Sequence, residues 1–194
     1  MMLIKRLPQI KSYVLALLLF SGMAGCSSIP FLNNKPVEAL LSDGFDGNGI
    51  AVLTFSKQGN GLPSDIGKYA ADKLTDHLFF TGTYKVIDRS EVAKAQANME
   101  DSYDPEKLSA QELKKIAAGL NAKYIILGRV HNISQETGRM GEKADKEMRL
   151  TFRIISAESM EVIGMASGSY CSDDNLYEDT SVILHRIVEK MGEK

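Results

Sequence analysis

The sequence predicts an α/β (α+β) fold in which helices pack on a mixed β-sheet, in the order β-α-β-α-α-β-β-β-α. Three observations carry that reading. The runs at 49–55 and 123–131 are almost continuously apolar, as strands buried on both faces are. From 148 to 154, Met148, Leu150, Phe152 and Ile154 alternate with Arg149, Thr151 and Arg153, the signature of a strand with one solvated face. Two further stretches, 66–78 and 176–191, repeat apolar residues at helical spacing.

In chain order, residues 28–49 hold Pro30, Asn33, Asn34, Pro36 and the glycines 44, 47 and 49, and read as a tether with at most a short helix around 37–41. Stretched out, the tether reaches about 80 Å at ~3.4 Å per residue. As a flexible coil it spans roughly 25–30 Å. The first strand follows at 49–55. Ser64, after Pro63, is placed to cap a helix to about Phe80, with Ile66, Ala70, Leu74 and Leu78 four apart and Gly82 closing it. Tyr84 to Ile87 make the second strand, and Ser90 caps a short helix from Glu91 to about Met99. Ser109 and Glu112 fit a capping box, with Gly119 as the helix stop. The third strand spans 123–131, and the polar, charged stretch 132–146 reads as a loop. The alternating strand then turns through 157–160 into a partner at 161–169, which predicts a hairpin. Leu176, Thr180, Ile183, Leu184, Ile187, Val188 and Met191 share one face of a last helix. The helices are expected on one face of the sheet, with the outer side of the hairpin partly solvated.

A length of 194 residues fits one domain plus a tail. Lys and Arg number 23 against 25 Asp and Glu, and the three charges before residue 26 (Lys5, Arg6, Lys11) are all basic, so the remainder carries 20 against 25. A nucleic-acid partner is thereby disfavoured, because neutralising a phosphate backbone takes clustered Lys and Arg. The only cysteines are Cys26 and Cys171, with no Cys or His at metal-ligand spacing around either. A disulfide-stapled mini-fold and a structural zinc site both drop out.

Residues 1–25 have the layout of a secretory signal peptide: a basic flank, a short apolar core at 13–20, and small residues before Cys26. The apolar stretch is about a dozen residues, whereas a membrane-spanning helix takes roughly 20. Met23-Ala24-Gly25-Cys26 resembles the lipobox of bacterial lipoproteins, with Met23 where Leu is usual. The resemblance implies cleavage before Cys26 and acylation of the Cys26 thiol and new N-terminus, palmitate included. Ser27 after it, by resemblance to enterobacterial sorting, implies the outer membrane. The chain thus divides into signal peptide (1–25), lipidated tether (26–48) and periplasmic domain (49–194).

The succession Ile50 to Phe55, Tyr84 to Val92, Gly119 to Val130 and the hairpin from Met148 to Gly168 resembles the periplasmic domain of the CsgG, LpoB and FlgO lipoproteins and, in fold, the N-terminal domain of TolB. The resemblance covers 49–191. It implies an outer-membrane lipoprotein that binds other cell-envelope proteins in secretion, in appendage assembly of the curli or flagellar kind, or in cell-wall assembly. A self-assembled ring is one variant, with exposed strand edges or the last helix as the contact. The alternative is LpoB-like activation of a penicillin-binding protein, for which this tether is short. A CsgG-type export channel is the weakest reading. Its two strand pairs fall at 132–147 and 170–178, and a membrane strand pair needs about 18–22 alternating residues.

Catalytic chemistry is not legible. His77, His131 and His185 are far apart in sequence, without a carboxylate or Cys at ligand spacing. Asp88 and Arg89 precede a helix start, where charges are commonly solvated. Asp43, Asp46 and Asn48 hint at calcium, yet Thr54 stands where an EF-hand loop needs its closing Glu. The glycines 44, 47 and 49 precede a strand instead of following one, so they spell no dinucleotide site. No G-x-S-x-G elbow occurs. Cys171 is open to three readings: a small residue at a strand end, an intermolecular disulfide, or a nucleophile. The expectation is a non-catalytic protein without cofactor or metal, in which Cys26 is the one modified residue and Cys171 and Asp88 are the residues an enzyme test would target.

Overall fold

The computed structural model describes residues 36–97, 104–105, 107–134, 146–171 and 175–193. The signal peptide, Cys26, the tether to residue 35, the end of the short helix expected at 98–99 and the loop 135–145 lie outside the described residues.

The described chain forms β1 (Glu38–Leu41), β2 (Asn48–Val52), β3 (Ser56–Gln58), α1 (Ile66–Phe80), β4 (Lys85–Val86), α2 (Arg89–Ala97), α3 (Ala110–Leu120), β5 (Tyr124–Ser134), β6 (Lys146–Ser156), β7 (Val162–Cys171) and α4 (Leu176–Gly192). One mixed sheet runs β1-β7-β6-β5-β2-β4, with β3 beside β5. The β5-β6-β7 meander and β1 are antiparallel, whereas β2 is parallel to both β4 and β5.

Helices cover both faces, not one. On the first face α1 and α4 bury Ile66, Ala70, Leu74, Leu78, Ile183, Leu184, Ile187 and Met191 against Ile50, Val52, Ile126, Val130, Met148, Leu150, Phe152 and Ile154. On the second, α2 and α3 bury Val92, Leu113, Ile116 and Ala117 against Ala51, Leu53, Ile125, Leu127 and Ile155. Topology supplies the reason. The crossover through α1 steps from β2 to β4, and the return through α2 and α3 steps from β4 to β5 on the other side of β2. Right-handed crossovers that step in opposite directions put their helices on opposite faces. The helices of the second face reach no further than Ile155 at the end of β6, so most of the outer side of β6, β7 and β1 stays solvated, as expected of the hairpin.

Residues 38–41 form an edge strand where a tether with at most a short helix was expected. Glu38 to Leu41 pair with Ser167 to Gly164, and Val37, Ala39 and Leu41 pack on the core. The pairing partner lies over 120 residues downstream, so no local pattern announces it. A second unannounced strand, β3, arises because the chain kinks after β2 and rejoins β5 at Arg129 to His131. The kink is held at Phe55: its N–H donates to the Gly67 carbonyl (3.1 Å), and a Cβ on Gly67 would fall on the Phe55 carbonyl oxygen, one on Gly128 on the Phe55 ring. Only glycine permits either approach.

Helix ends follow local chemistry with small shifts. Ser109 and Glu112 form the expected reciprocal capping box, and Gly82 follows α1 with φ +68°. The stop of α3, however, is Asn121 in the left-handed conformation, not Gly119. Asp65, not Ser64, precedes α1. Asp88 caps α2 in place of Ser90, accepting from Ser90 N at 2.8 Å and from its hydroxyl. Asn175 opens α4 by accepting from Glu178 N.

Candidate interaction surface

The solvated half of the second sheet face is built by strand alternation. Across β6, β7 and β1 the register sets Arg153 beside Met165 and Met165 beside Leu40, while Thr151 stands beside Ser167 and Arg149 beside Ser169. Arg149 reaches Glu147 at 3.3 Å, a carboxylate only 4 % exposed, and Arg129 donates to Gln58 at 2.9 Å. His131 lies opposite Arg149, so a cation is its register partner. Along the β1 edge the face turns apolar, with Leu40 76 %, Met165 60 % and Val162 49 % exposed.

At the opposite end of the strand order, α1 finishes on Phe79 and Phe80, 63 % and 80 % exposed, immediately before the turn into β4. Their rings stack edge to face at 5.8 Å. Sequence reasoning missed both apolar ends. The signal was present at Phe79 and Phe80, since two adjacent aromatics at a helix end cannot both face one core.

The seam between α1 and α4 joins two residues that the sequence keeps 108 positions apart. The rings of His77 and His185 lie 5.4 Å apart, with Ser181 Oγ 3.4 Å from Nε2 of His77 and Glu189 3.3 Å from Nε2 of His185. Burial chiefly, then the charges of His185 and Lys73, push His77 below its ordinary value, against the opposing pull of Asp76. A Ser–His pair invites a test for nucleophilic chemistry. Ser181 sits inside α4, where backbone N–H groups are bound within the helix, so its own helix offers it no oxyanion donors.

The other sequence candidates are tied into the scaffold. Asp88 is held below the usual carboxylate range by the Ser90 hydroxyl and backbone N–H, as a helix cap is. Its neighbour Arg89 turns inward to Asp72 on α1 and to the Val52 carbonyl. Asp46 accepts from Asn48 N and from Lys123, which hold its carboxyl at about 2. Among the described residues no group of three or more His, Cys, Asp or Glu is gathered as a metal site requires. Cys171 ends β7 opposite Glu147; its side chain, like Cys26, lies outside the described residues. A cleft of about 380 Å³ between β3 and the start of α1 is lined by Thr54, Ser56, Lys57, Ser64 and Lys68, with Asp104 at its rim.

No family model matches the chain, and no curated protein matches it. Solved structures do. A PelC dodecamer from Paraburkholderia phytofirmans superposes with a TM-score of 0.52 at 14% identity, over 80% of this chain and 98% of that one. The fold is shared. Lipoprotein GNA1162 from Neisseria meningitidis gives 0.50 at 11% over 76% and 98%, and the NMR structure of Escherichia coli LpoB 0.50 at 12% over 68% and 61%. At such identities the likeness is one of architecture, and it places the α+β sheet described above among the folds of LpoB, PelC and GNA1162.

Proposed function

We propose that this chain is a non-catalytic lipoprotein, acylated at Cys26 and held at the periplasmic face of the outer membrane, where its domain binds other envelope proteins and further copies of itself. One observation carries the reading furthest: β1 begins at Glu38, so only eleven residues lie between Cys26 and the folded sheet. However those residues are arranged, they reach at most roughly 40 Å at ~3.4 Å each, about half of what a tether extending to residue 48 would allow. Confinement to the membrane surface raises the local concentration of the domain, so contacts of modest affinity suffice for assembly. The lipobox, the exposed apolar ends of the sheet and the fold shared with a lipoprotein and with a dodecamer support the same reading.

The short reach weighs against activation of an inner-membrane penicillin-binding protein, which lies on the far side of the peptidoglycan. The test is direct. Cys26→Ser should abolish labelling by radioactive palmitate and release the protein from the outer-membrane fraction; persistent labelling removes the anchor. Full complementation by Cys171→Ser and by Asp88→Ala is expected, and loss of function in either, with the fold intact, would reopen catalysis.

A further inference from the structure

Five of the six large apolar side chains exposed among the described residues fall in two patches at opposite ends of the strand order. Leu40, Val162 and Met165 lie on the outer face at the β1 end; Phe79 and Phe80 lie beside the β4 end. Both ends also finish in short strands, β1 and β4, each paired within the sheet on one side. Such ends are where a further chain can be added. Charges of opposite sign border the two patches, with Glu38 and Glu161 also bordering the first beside its arginine. Arg153 is the register neighbour of Met165, while Asp76 stands three and four residues before Phe79 and Phe80, on the same side of α1. Asp76 makes an exposed i,i+3 contact with Lys73 at 3.4 Å, which is weak enough to exchange.

We propose that the two patches dock on each other between copies of this chain, Phe79 and Phe80 of one copy against Leu40, Val162 and Met165 of the next, with Asp76 facing Arg153. This names the contact behind the self-association in the proposed function and rests on that reading for where the copies meet. The patches are different surfaces at opposite ends of one sheet, so the contact is head to tail. Each copy keeps one free patch after docking, and the series must close into a ring or run on as a filament.

The test is disulfide trapping of the full-length chain in intact cells under a mild external oxidant. A chain carrying both Leu40→Cys and Phe80→Cys should give a ladder of multimers on a non-reducing gel. Either substitution alone should give no self-dimer, beyond what the unsubstituted chain gives through its own cysteines. Arg153→Asp in the double-cysteine chain should deplete the ladder several-fold, and adding Asp76→Arg should restore it. Four results overturn the proposal: no ladder at normal protein levels, a dimer from one cysteine alone, a single adduct with a different protein, or charge reversals without effect. Fractionation of the same cells keeps the two readings separate. A ladder in the soluble fraction retains the contact and removes the anchor, whereas membrane-bound monomer retains the anchor and removes the contact.

Discussion

Arg89, the first residue of α2, donates from Nε to Oδ1 of Asp72 on α1 at 2.7 Å, and its guanidinium also donates to the carbonyl of Val52 at the end of β2. One side chain thereby ties a helix on each face to the strand between them. The Arg89 side chain is only 15 % exposed but Asp72 is 42 % exposed, so solvent screens part of the attraction. Arg89→Met should lower the free energy of unfolding by about 1–2 kcal/mol, read as a shift in denaturant midpoint at constant slope. Arg89→Lys should recover less than half, because an ammonium cannot serve carboxylate and carbonyl with one planar fork. A midpoint unchanged in Arg89→Met would show that this tie contributes nothing.

The three glycines 67, 128 and 119 should respond oppositely to the same methyl group. Gly67→Ala drives a Cβ onto the Phe55 carbonyl and Gly128→Ala onto its ring, each costing about 1–3 kcal/mol or more. Gly119, in the last turn of α3, has nothing within 4 Å, and Gly119→Ala should stabilise by about 0.5–1 kcal/mol through helix propensity. Thermal melts of the three variants decide it; a destabilised Gly119→Ala would mean that the glycine is needed for the turn into Asn121.

What the sequence made legible was local. The Ser109–Glu112 box, the four-residue spacing in α1 and α4 and the alternation through Arg149, Thr151 and Arg153 each reflect a rule acting within a few residues, and each is realised. What it left illegible depends on partners far along the chain. The segment Glu38–Leu41 is rich in helix-favouring Ala and Leu and becomes a strand only because β7 offers an edge. Helix periodicity says which side of α3 is buried but not which side of the sheet buries it; that follows from the positions of β4 and β5 about β2. The surface residues Leu40, Met165, Phe79 and Phe80 look like core residues in the sequence and are not, because no rule of composition separates a docking patch from an interior.

His77, packed beside His185, makes stability depend on pH in a definite direction. His77 has its imidazolium disfavoured in the folded protein by burial, then by His185 and Lys73, so its folded value lies below 6.5. The unfolded chain therefore binds more protons as pH falls through the window just under 6.5, and stability falls with it. His77→Gln removes that proton uptake. Between about pH 7.5 and 5.5 the variant should lose less stability than the parent, measured as denaturant midpoints across the range. Equal losses would show that other groups carry the whole dependence.

Limited proteolysis distinguishes a sheet that includes β1 from one that starts at residue 49. Because Glu38–Leu41 pairs along its length with β7, and Ser42 N donates to Ile163 O at 2.8 Å, the backbone of 38–42 is committed and resists entry into a protease site. Cleavage on the N-terminal side should stop before Pro36, and the resistant fragment should begin between residues 27 and 36 by mass. Removing 36–41 uncovers the edge of β7 and strips Val37, Ala39 and Leu41 from the core. At partial burial these side chains should together cost about 2 kcal/mol or more, and the bared edge should promote aggregation. A resistant fragment beginning near residue 44 with undiminished stability would return the segment to the tether, lengthening the reach from Cys26 and weakening the case for a partner at the outer membrane.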